Sequence, residues 1–275
     1  MIALIDGDIL CYRCAFAAEK TKYLATRFEG EMWGPFDSHK DMKEYLVGQL
    51  SDYTIWSRKE VEPEELAIQA TQATLQSILN KLGTDSYEIY LSDTFSFREK
   101  FATTARYKGN RDGQARPVHY GVVREALLRD GACTCPDQLE ADDMLGIRGT
   151  GLGSECVIVS IDKDLLQIPG RHFNWVTDTY TEIDGREGSL RLGCQILSGD
   201  ATDNVPGLSG IGEVKARKYL EGSTSTRDMV SRIKELYKAQ RGEQSEQYLL
   251  EQGTMVYILR HRTDSFKTWY EKHAA

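Results

Sequence analysis

No apolar run in this 275-residue chain is longer than a strand, so nothing in it can cross a bilayer as a helix. The opening MIALIDGDIL has no basic stretch before its apolar residues and places an aspartate at position 6. It reads as a first strand rather than a secretory leader, and a cytoplasmic protein is the expectation. Histidine is scarce: the five, at 39, 119, 172, 261 and 273, show no ligand spacing. Cysteine is scarce too, with six at 11, 14, 133, 135, 156 and 194. Cys11 and Cys14 form a CxxC whose nearest company is the distant CxC of Cys133 and Cys135. A zinc or redox site would want that company closer, which leaves plain reduced thiols as the simpler reading. Gly207 to Gly212 (GLSGIG) is glycine-rich, yet no GK[ST] ends it, so it is not a Walker loop.

Basic residues are outnumbered, 34 against 42, for a formal charge of -8. Taken alone, that argues against a nucleic-acid partner. Setting apart the nine acids of the motifs below leaves 33 against the 34 bases, so the remaining surface is near neutral. Bound divalent ions would also invert the local field, and DNA stays admissible. With 40% apolar and 28% charged residues, the chain has the make-up of one large folded domain or two modest ones.

Strand candidates are Ile2 to Ile5, Tyr87 to Leu91, Cys156 to Ser160 and Phe173 to Val176. Helices are expected after Gly7 (LCYRCAFAA), from Pro63 to Leu82, and over 118–128, 138–147 and 213–220. Residues 28–36 (FEGEMWGPF) suggest a turn or hairpin, and 37–50 a helix. Alternating strands and helices predict an α/β fold, a mostly parallel sheet with helices on both faces.

Three strands end in an acid, at Asp6, Asp93 and Asp162. Ligands of open α/β sheets bind outside the carboxyl ends of the strands. A single aspartate there can be a turn residue; three at corresponding ends favour a site. Glu140, Asp142 and Asp143 crowd one helical turn, with 140 and 143 on a shared face and 142 to one side. That cluster is either a solvated helix start or a cation site. Asp164 follows Asp162, and Asp200 and Asp203 stand three apart in a turn-rich stretch. Oxygen-only donors suit Mg²⁺, with Mn²⁺ as substitute, rather than zinc. A pair of such ions fits phosphodiester hydrolysis without a protein nucleophile.

Two segments suit phosphate. Arg106-Tyr107-Lys108-Gly109-Asn110-Arg111 is basic and aromatic, and Lys108 and Arg111 could share a helical face toward a scissile phosphate; the alternative is a solvated basic loop. The hairpin with Gly207, Gly210 and Gly212 opens into a helix bearing Lys215, Arg217 and Lys218, offering backbone N–H groups to a phosphate.

IDGD on the first strand, RYKGNR, LEADDMLG, and SIDKDLLQI continuing to LSGDATDNVPGLSGIGEVKA together resemble the 5′-nuclease family. That family comprises phage 5′–3′ exonucleases, the 5′-nuclease domain of bacterial DNA polymerase I, and flap endonucleases. The likeness runs over residues 1–18 and 87–220, and weakly to 275. It implies a PIN-like 5′-nuclease core over 1–185, with a helical arch about 94–130, and a helix–hairpin–helix region over 186–275 packed on that core. It assigns a first metal position to Asp6, Asp93, Glu140 and Asp142, with Asp143 nearby, and a second to Asp162, Asp164, Asp200 and Asp203. Asp6, Asp93, Asp142, Asp162, Lys108 and Arg111 would carry catalysis. Arg106, Tyr107, Lys108, Arg111, Gly207, Gly210, Gly212, Lys215 and Lys218 would bind DNA, with K⁺ at the hairpin. The implied substrates are duplex or flapped DNA, and RNA annealed to DNA. A phage-type enzyme working in the host cytoplasm is expected, because no polymerase region is present. All the second-position acids are kept, unlike in degenerate single-site relatives. Asp8 stands where relatives are neutral or polar, and residues 20–60 match nothing in the family.

Three rivals are weaker. A haloacid-dehalogenase-like phosphatase would use Asp6-Gly7-Asp8, but leaves RYKGNR and the glycine hairpin without a role. A PIN-type ribonuclease would not need the hairpin. A structure-specific DNA binder without catalysis would be expected to lack a carboxylate, and none is missing.

Overall fold

The computed structural model describes residues 1–27, 30–46, 48 and 50–274. In chain order the elements are β1 Ile2–Asp6, α1 Gly7–Ala17, β2 Glu19–Thr26, β3 Met32–Phe36, α2 His39–Tyr45, β4 Thr54–Val61, α3 Glu64–Leu82 and β5 Tyr87–Leu91. They continue as α4 Tyr120–Arg129, β6 Cys133–Thr134, α5 Ala141–Leu152, β7 Cys156–Val159, β8 Gly170–Asn174, β9 Thr179–Ile183 and α6 Gly185–Ser198. The chain closes with α7 Glu213–Leu220, α8 Thr226–Arg241, α9 Ser245–Val256 and α10 Phe266–Ala274. None of the described helices is long and apolar enough to cross a membrane.

The chain forms two compact units, one of Met1–Ile9, Ile78–Gln114 and Asp130–Ala275, the other of Leu10–Ser77 and Ala115–Arg129. The first holds a six-stranded sheet in the order β6-β5-β1-β7-β8-β9. All its neighbours are parallel except β8 and β9. The apolar sequences IALI and CVIV suit strands buried on both faces. β1 lies between β5 and β7, so the chain turns from one side of β1 to the other and opens a crevice at the carboxyl ends there. Register brings Asp6 beside Tyr90, and Ile5 beside Val159. Gly7 is required at this crest, because a Cβ there would stand 2.6 Å from the Tyr90 carbonyl oxygen.

The second unit contains the antiparallel sheet β3-β2-β4, with a small core of Ala25, Met42 and Leu46 under Tyr23, Trp33 and Ile55. β3 pairs with β2, where a turn or hairpin was expected over 28–36; Phe28 and Glu29 of that stretch lie outside the described residues. Likewise α2 occupies part of the helix expected over 37–50, of which Val47 and Gln49 lie outside the described residues.

Several boundaries differ from the sequence reading for local reasons. The helix expected from 138 begins at Ala141, because Asp137 and Gln138 adopt left-handed φ of 58° and 62°. The strand expected over 173–176 ends at Asn174, whose side-chain oxygen takes the amides of Val176 and Thr177 and turns the chain. Residues 94–119 form only two short 3₁₀ turns, Phe97–Lys100 and Gly109–Arg111, so the helix of the expected arch span is α4 alone.

Candidate active site

The acids expected at the sheet's carboxyl edge sit there, and all belong to the first unit. Asp6, the last residue of β1, is 3% exposed and accepts hydrogen bonds from the Ile9 amide (3.1 Å) and the Ser160 hydroxyl (2.8 Å). Burial, with Asp8 and Asp162 beside it, pushes its carboxyl up to about 7 against those two hydrogen bonds. Asp142, in the first turn of α5, is held well above the usual carboxylate range by burial and by the charges of Asp6 and Asp162. Asp164 is pushed up to about 8 by burial, Asp162 and Asp200. Asp162 accepts the Asp164 amide at 2.8 Å, and Asp200 accepts that of Thr202 at 2.7 Å. Asp93 is half-buried beyond β5 and accepts the Thr94 amide at 2.6 Å. Asp8 ties its carboxylate to the Ser92 amide at 3.0 Å, fixing the end of β5 near β1.

A second group lies beside these acids and is dense in cations. Arg98 is 3% exposed and donates to both oxygens of Asp143 (2.7 and 2.8 Å), to Glu140 (2.7 Å), and to the carbonyls of Met255 and Tyr257. Burial opposes ionisation of Glu140, but Arg98 and Lys108 outweigh it and hold the carboxyl at about 2. The Tyr107 hydroxyl lies between Glu140 (3.0 Å) and Asp203 (2.9 Å). Lys108 pairs with Glu140 and approaches Asp203 to 3.7 Å, and Arg111 also pairs with Asp203. Burial still keeps the Asp203 carboxyl above its ordinary value, against those two cations.

Three expectations change. Asp143 is fully buried with both oxygens on Arg98, so it positions the arginine and is closed to an ion. Tyr107, expected to bind DNA, is 7% exposed and has its hydroxyl on Glu140 and Asp203. Lys108 takes a left-handed φ of 56° ahead of a 3₁₀ turn, so it and Arg111 share no helical face; they converge instead on Asp203. Arg106 is exposed and paired with Asp112. Arg98 itself was missed by the sequence reading. Its one signal is a lone arginine inside the aromatic stretch Phe95-Ser96-Phe97-Arg98.

Between the two groups is a cavity of about 20 Å³ lined by Arg98, Tyr107, Glu140, Asp142, Asp164, Asp200 and Asp203. That is room for about one water or a small ion. The donor set fits a hard divalent cation: Asp6 is buried, Asp142 and Asp164 are half-buried, and neighbouring acids raise the proton affinity of each by more than Lys108 and Lys163 offset. Yet among the described residues no three His, Cys, Asp or Glu side chains already converge to hold an ion. Glu140 and Asp203 are turned onto Arg98, Lys108 and Arg111 instead.

The glycine hairpin is set by α9, whose Gln252 accepts the Gly207 amide (2.9 Å) while Tyr248 donates to the Gly207 carbonyl (2.9 Å). Gly210 follows with a left-handed φ of 71°, and Gly212 precedes α7. Lys215 folds back onto the Gly210 carbonyl at 2.9 Å, and Lys218 is exposed.

A mostly parallel sheet with acid-tipped strands and flanking helices is the fold of the phage T5 flap endonuclease. The solved complex of that protein with DNA and metal ions matches 99% of this chain and 97% of its own, at 15% identity and a TM-score of 0.56. No family model matches the chain. It is 26% identical to the exonuclease of Escherichia phage T7 over 241 residues, 85% of this chain and 71% of that protein. DNA polymerase I of Pseudomonas aeruginosa is 31% identical over 137 residues, 43% of this chain but 15% of the polymerase. The chain is homologous to phage exonucleases and to bacterial DNA polymerases I.

Proposed function

We propose that the chain is a divalent-metal-dependent 5′-nuclease that hydrolyses phosphodiester bonds near 5′ ends of duplex or flapped DNA, and of RNA annealed to DNA. The observation that carries this reading is the crowd of acids with raised proton affinity, Asp6 at the end of β1, Asp142 at the start of α5 and Asp164 beyond β7, beside Glu140 and Asp203 paired with Lys108 and Arg111. Asp6, Asp93, Glu140 and Asp142 would hold one Mg²⁺ or Mn²⁺, and Asp162, Asp164, Asp200 and Asp203 a second. Such ions activate water and offset charge developing on the phosphate oxygens. Lys108 and Arg111 exchange Glu140 and Asp203 for phosphate oxygens and orient the scissile group. The hairpin at Gly207, Gly210 and Gly212, with Lys215 and Lys218, grips the duplex backbone and takes K⁺ on its carbonyls. In this division of labour residues 1–185, with Asp200 and Asp203, do the chemistry and the rest of 186–275 adds duplex binding, in the cytoplasm of a phage-infected host.

A time course on one 5′-labelled flap duplex and its blunt counterpart, with Mg²⁺ and with EDTA, tests the reading. Short labelled products that require the metal are expected, and their lengths separate exonuclease from flap cutting. Flap binding without any cleavage would leave a structure-specific DNA-binding protein. Lys108→Ala should lower the single-turnover rate by about tenfold to a hundredfold while changing duplex affinity by less than about threefold. Equal losses in rate and affinity, measured by DNA titration, would reduce Lys108 to a binding residue.

A further inference from the structure

Between the buried Arg98 and Lys108 the chain has no helix or strand past the short turn at Phe97–Lys100. Thr103 and Thr104 stand exposed in that stretch, and each gives its amide and its hydroxyl to one carboxylate, that of Glu251 in α9. The amides reach Oε1 at 2.7 and 2.5 Å, and the hydroxyls reach Oε2 at 2.8 and 2.7 Å. Burial pushes the Glu251 carboxyl up, but the four donors outweigh it and hold it below its ordinary value. One carboxylate thus clamps two consecutive residues of a segment that has no regular structure of its own.

The same helix carries other parts of the site. Tyr248 and Gln252 hold the carbonyl and the amide of Gly207, both at 2.9 Å, and the Met255 carbonyl takes Arg98 at 3.1 Å. Positions 248, 251, 252 and 255 recur at the spacing of one helix face. The glycine hairpin and the stretch leading to Lys108 and Arg111 are therefore mounted on one rigid element. Beyond this clamp the segment has a second attachment: the Lys108 amide donates to the Asp203 carbonyl (2.9 Å), Asn110 to the Ala201 carbonyl (2.7 Å), and Asn204 to the Arg106 carbonyl (2.9 Å). Two separated attachments fix the direction of a segment, whereas one leaves it free to swing. The Glu251 clamp involves neither Lys108 nor Arg111, so it persists when those cations leave Glu140 and Asp203 for a phosphate.

We propose that Glu251 is a positioning residue that sets the span between the duplex-gripping hairpin and the cations Lys108 and Arg111, and so selects which phosphate reaches the acids. The proposal rests on the nuclease reading. Glu251 acts through the two threonines and touches no substrate.

Single-turnover cleavage of the 5′-labelled flap in Mg²⁺, with hydrogen exchange on the same full-length variants, tests it. Glu251→Ala should lower the rate about tenfold and spread the main product over neighbouring lengths, while duplex affinity changes by less than about threefold. The Thr103 and Thr104 amides should exchange at least about tenfold faster, with those of β1 and β7 unchanged, which separates a loosened segment from an unfolded protein. Glu251→Gln keeps a carbonyl oxygen for the two amides and offers its amino group to the two hydroxyl oxygens, so its rate should stay within about threefold of the parent's. Parent rate and product lengths in Glu251→Ala would overturn the proposal and leave the nuclease reading standing. Unchanged exchange at Thr103 and Thr104, or a loss in Glu251→Gln as large as in Glu251→Ala, would overturn it too. A parent that binds the flap and cuts nothing would instead sink the nuclease reading, and the positioning role with it.

Discussion

Arg98→Ala is expected to destabilise the protein by about 3–5 kcal/mol, the range for removing one partner of a buried ion pair. Asp143 is fully buried, and both of its oxygens depend on Arg98. Without the guanidinium the acid keeps only the amides of Glu140 (3.2 Å) and Leu259 (3.2 Å). The Met255 and Tyr257 carbonyls lose their donor at the same time. These lie where the chain leaves α9, and Gln167 holds the same stretch through the Val256 carbonyl and the Ile258 amide. The damage should therefore spread from the acids into the C-terminal helices. Urea unfolding would show it as a midpoint lower by more than about 1 M. Arg98→Lys should recover little, because an ammonium cannot span both oxygens of Asp143. The double change Arg98→Met with Asp143→Leu should be milder than Arg98→Ala, since it leaves no unpaired charge. A wild-type midpoint for Arg98→Ala would mean that the pair contributes nothing net.

Why this arginine escaped the sequence while the acids did not has a physical basis. The acids stand at strand ends, and strands show themselves in a single sequence through apolar runs such as IALI and CVIV. The crevice follows from the strand order. Arg98 has its meaning from Glu140 and Asp143, 42 and 45 residues away, and from carbonyls about 160 residues away. No local pattern encodes such pairings. The same holds for the sheet of the second unit. β4 (TIWSRKEV) exposes most of its residues, so it lacks the alternation that marks a half-buried strand. Its place is set by an eight-residue ladder with β2, flanked by pairs such as Lys59 with Glu19 at 2.9 Å and Lys20 with Glu62 at 2.6 Å. In the linear sequence these are only a polar stretch. The burial of Tyr107 was illegible for a related reason: RYKGNR looks like a basic loop, and only the docked neighbours Glu140 and Asp203 explain a buried tyrosine in it.

In EDTA the protein should lose stability as the pH rises from about 4 to about 8, the reverse of the usual acid denaturation. Asp6 moves from an ordinary 3.8 up to about 7, Asp164 from 3.8 up to about 8, and Asp142 moves the same way. In that window the unfolded chain has released these protons while the folded chain keeps them, so rising pH favours unfolding. The contribution of Asp6 and Asp164 is complete below the unfolded value and gone above about 8. Asp6 alone is worth on the order of 4 kcal/mol. Glu140 acts in the other direction: its carboxyl is held at about 2, so its contribution disappears only as the pH falls from 4.5 toward that value. The two effects occupy different windows and can be read separately. A divalent ion needs the ionised carboxylates, so its stabilisation must grow as the pH rises. At a hundred times its dissociation constant it would add about 2.7 kcal/mol. Urea midpoints at pH 5.5 and 8.0, in EDTA and in Mn²⁺, give four numbers that decide the matter. The EDTA pair should fall with pH, and Mn²⁺ should raise the pH 8.0 midpoint far more than the pH 5.5 one. A flat EDTA pair would mean that the acids at the sheet edge are already compensated. An equal Mn²⁺ effect at both values would place the ion away from Asp6, Asp142 and Asp164.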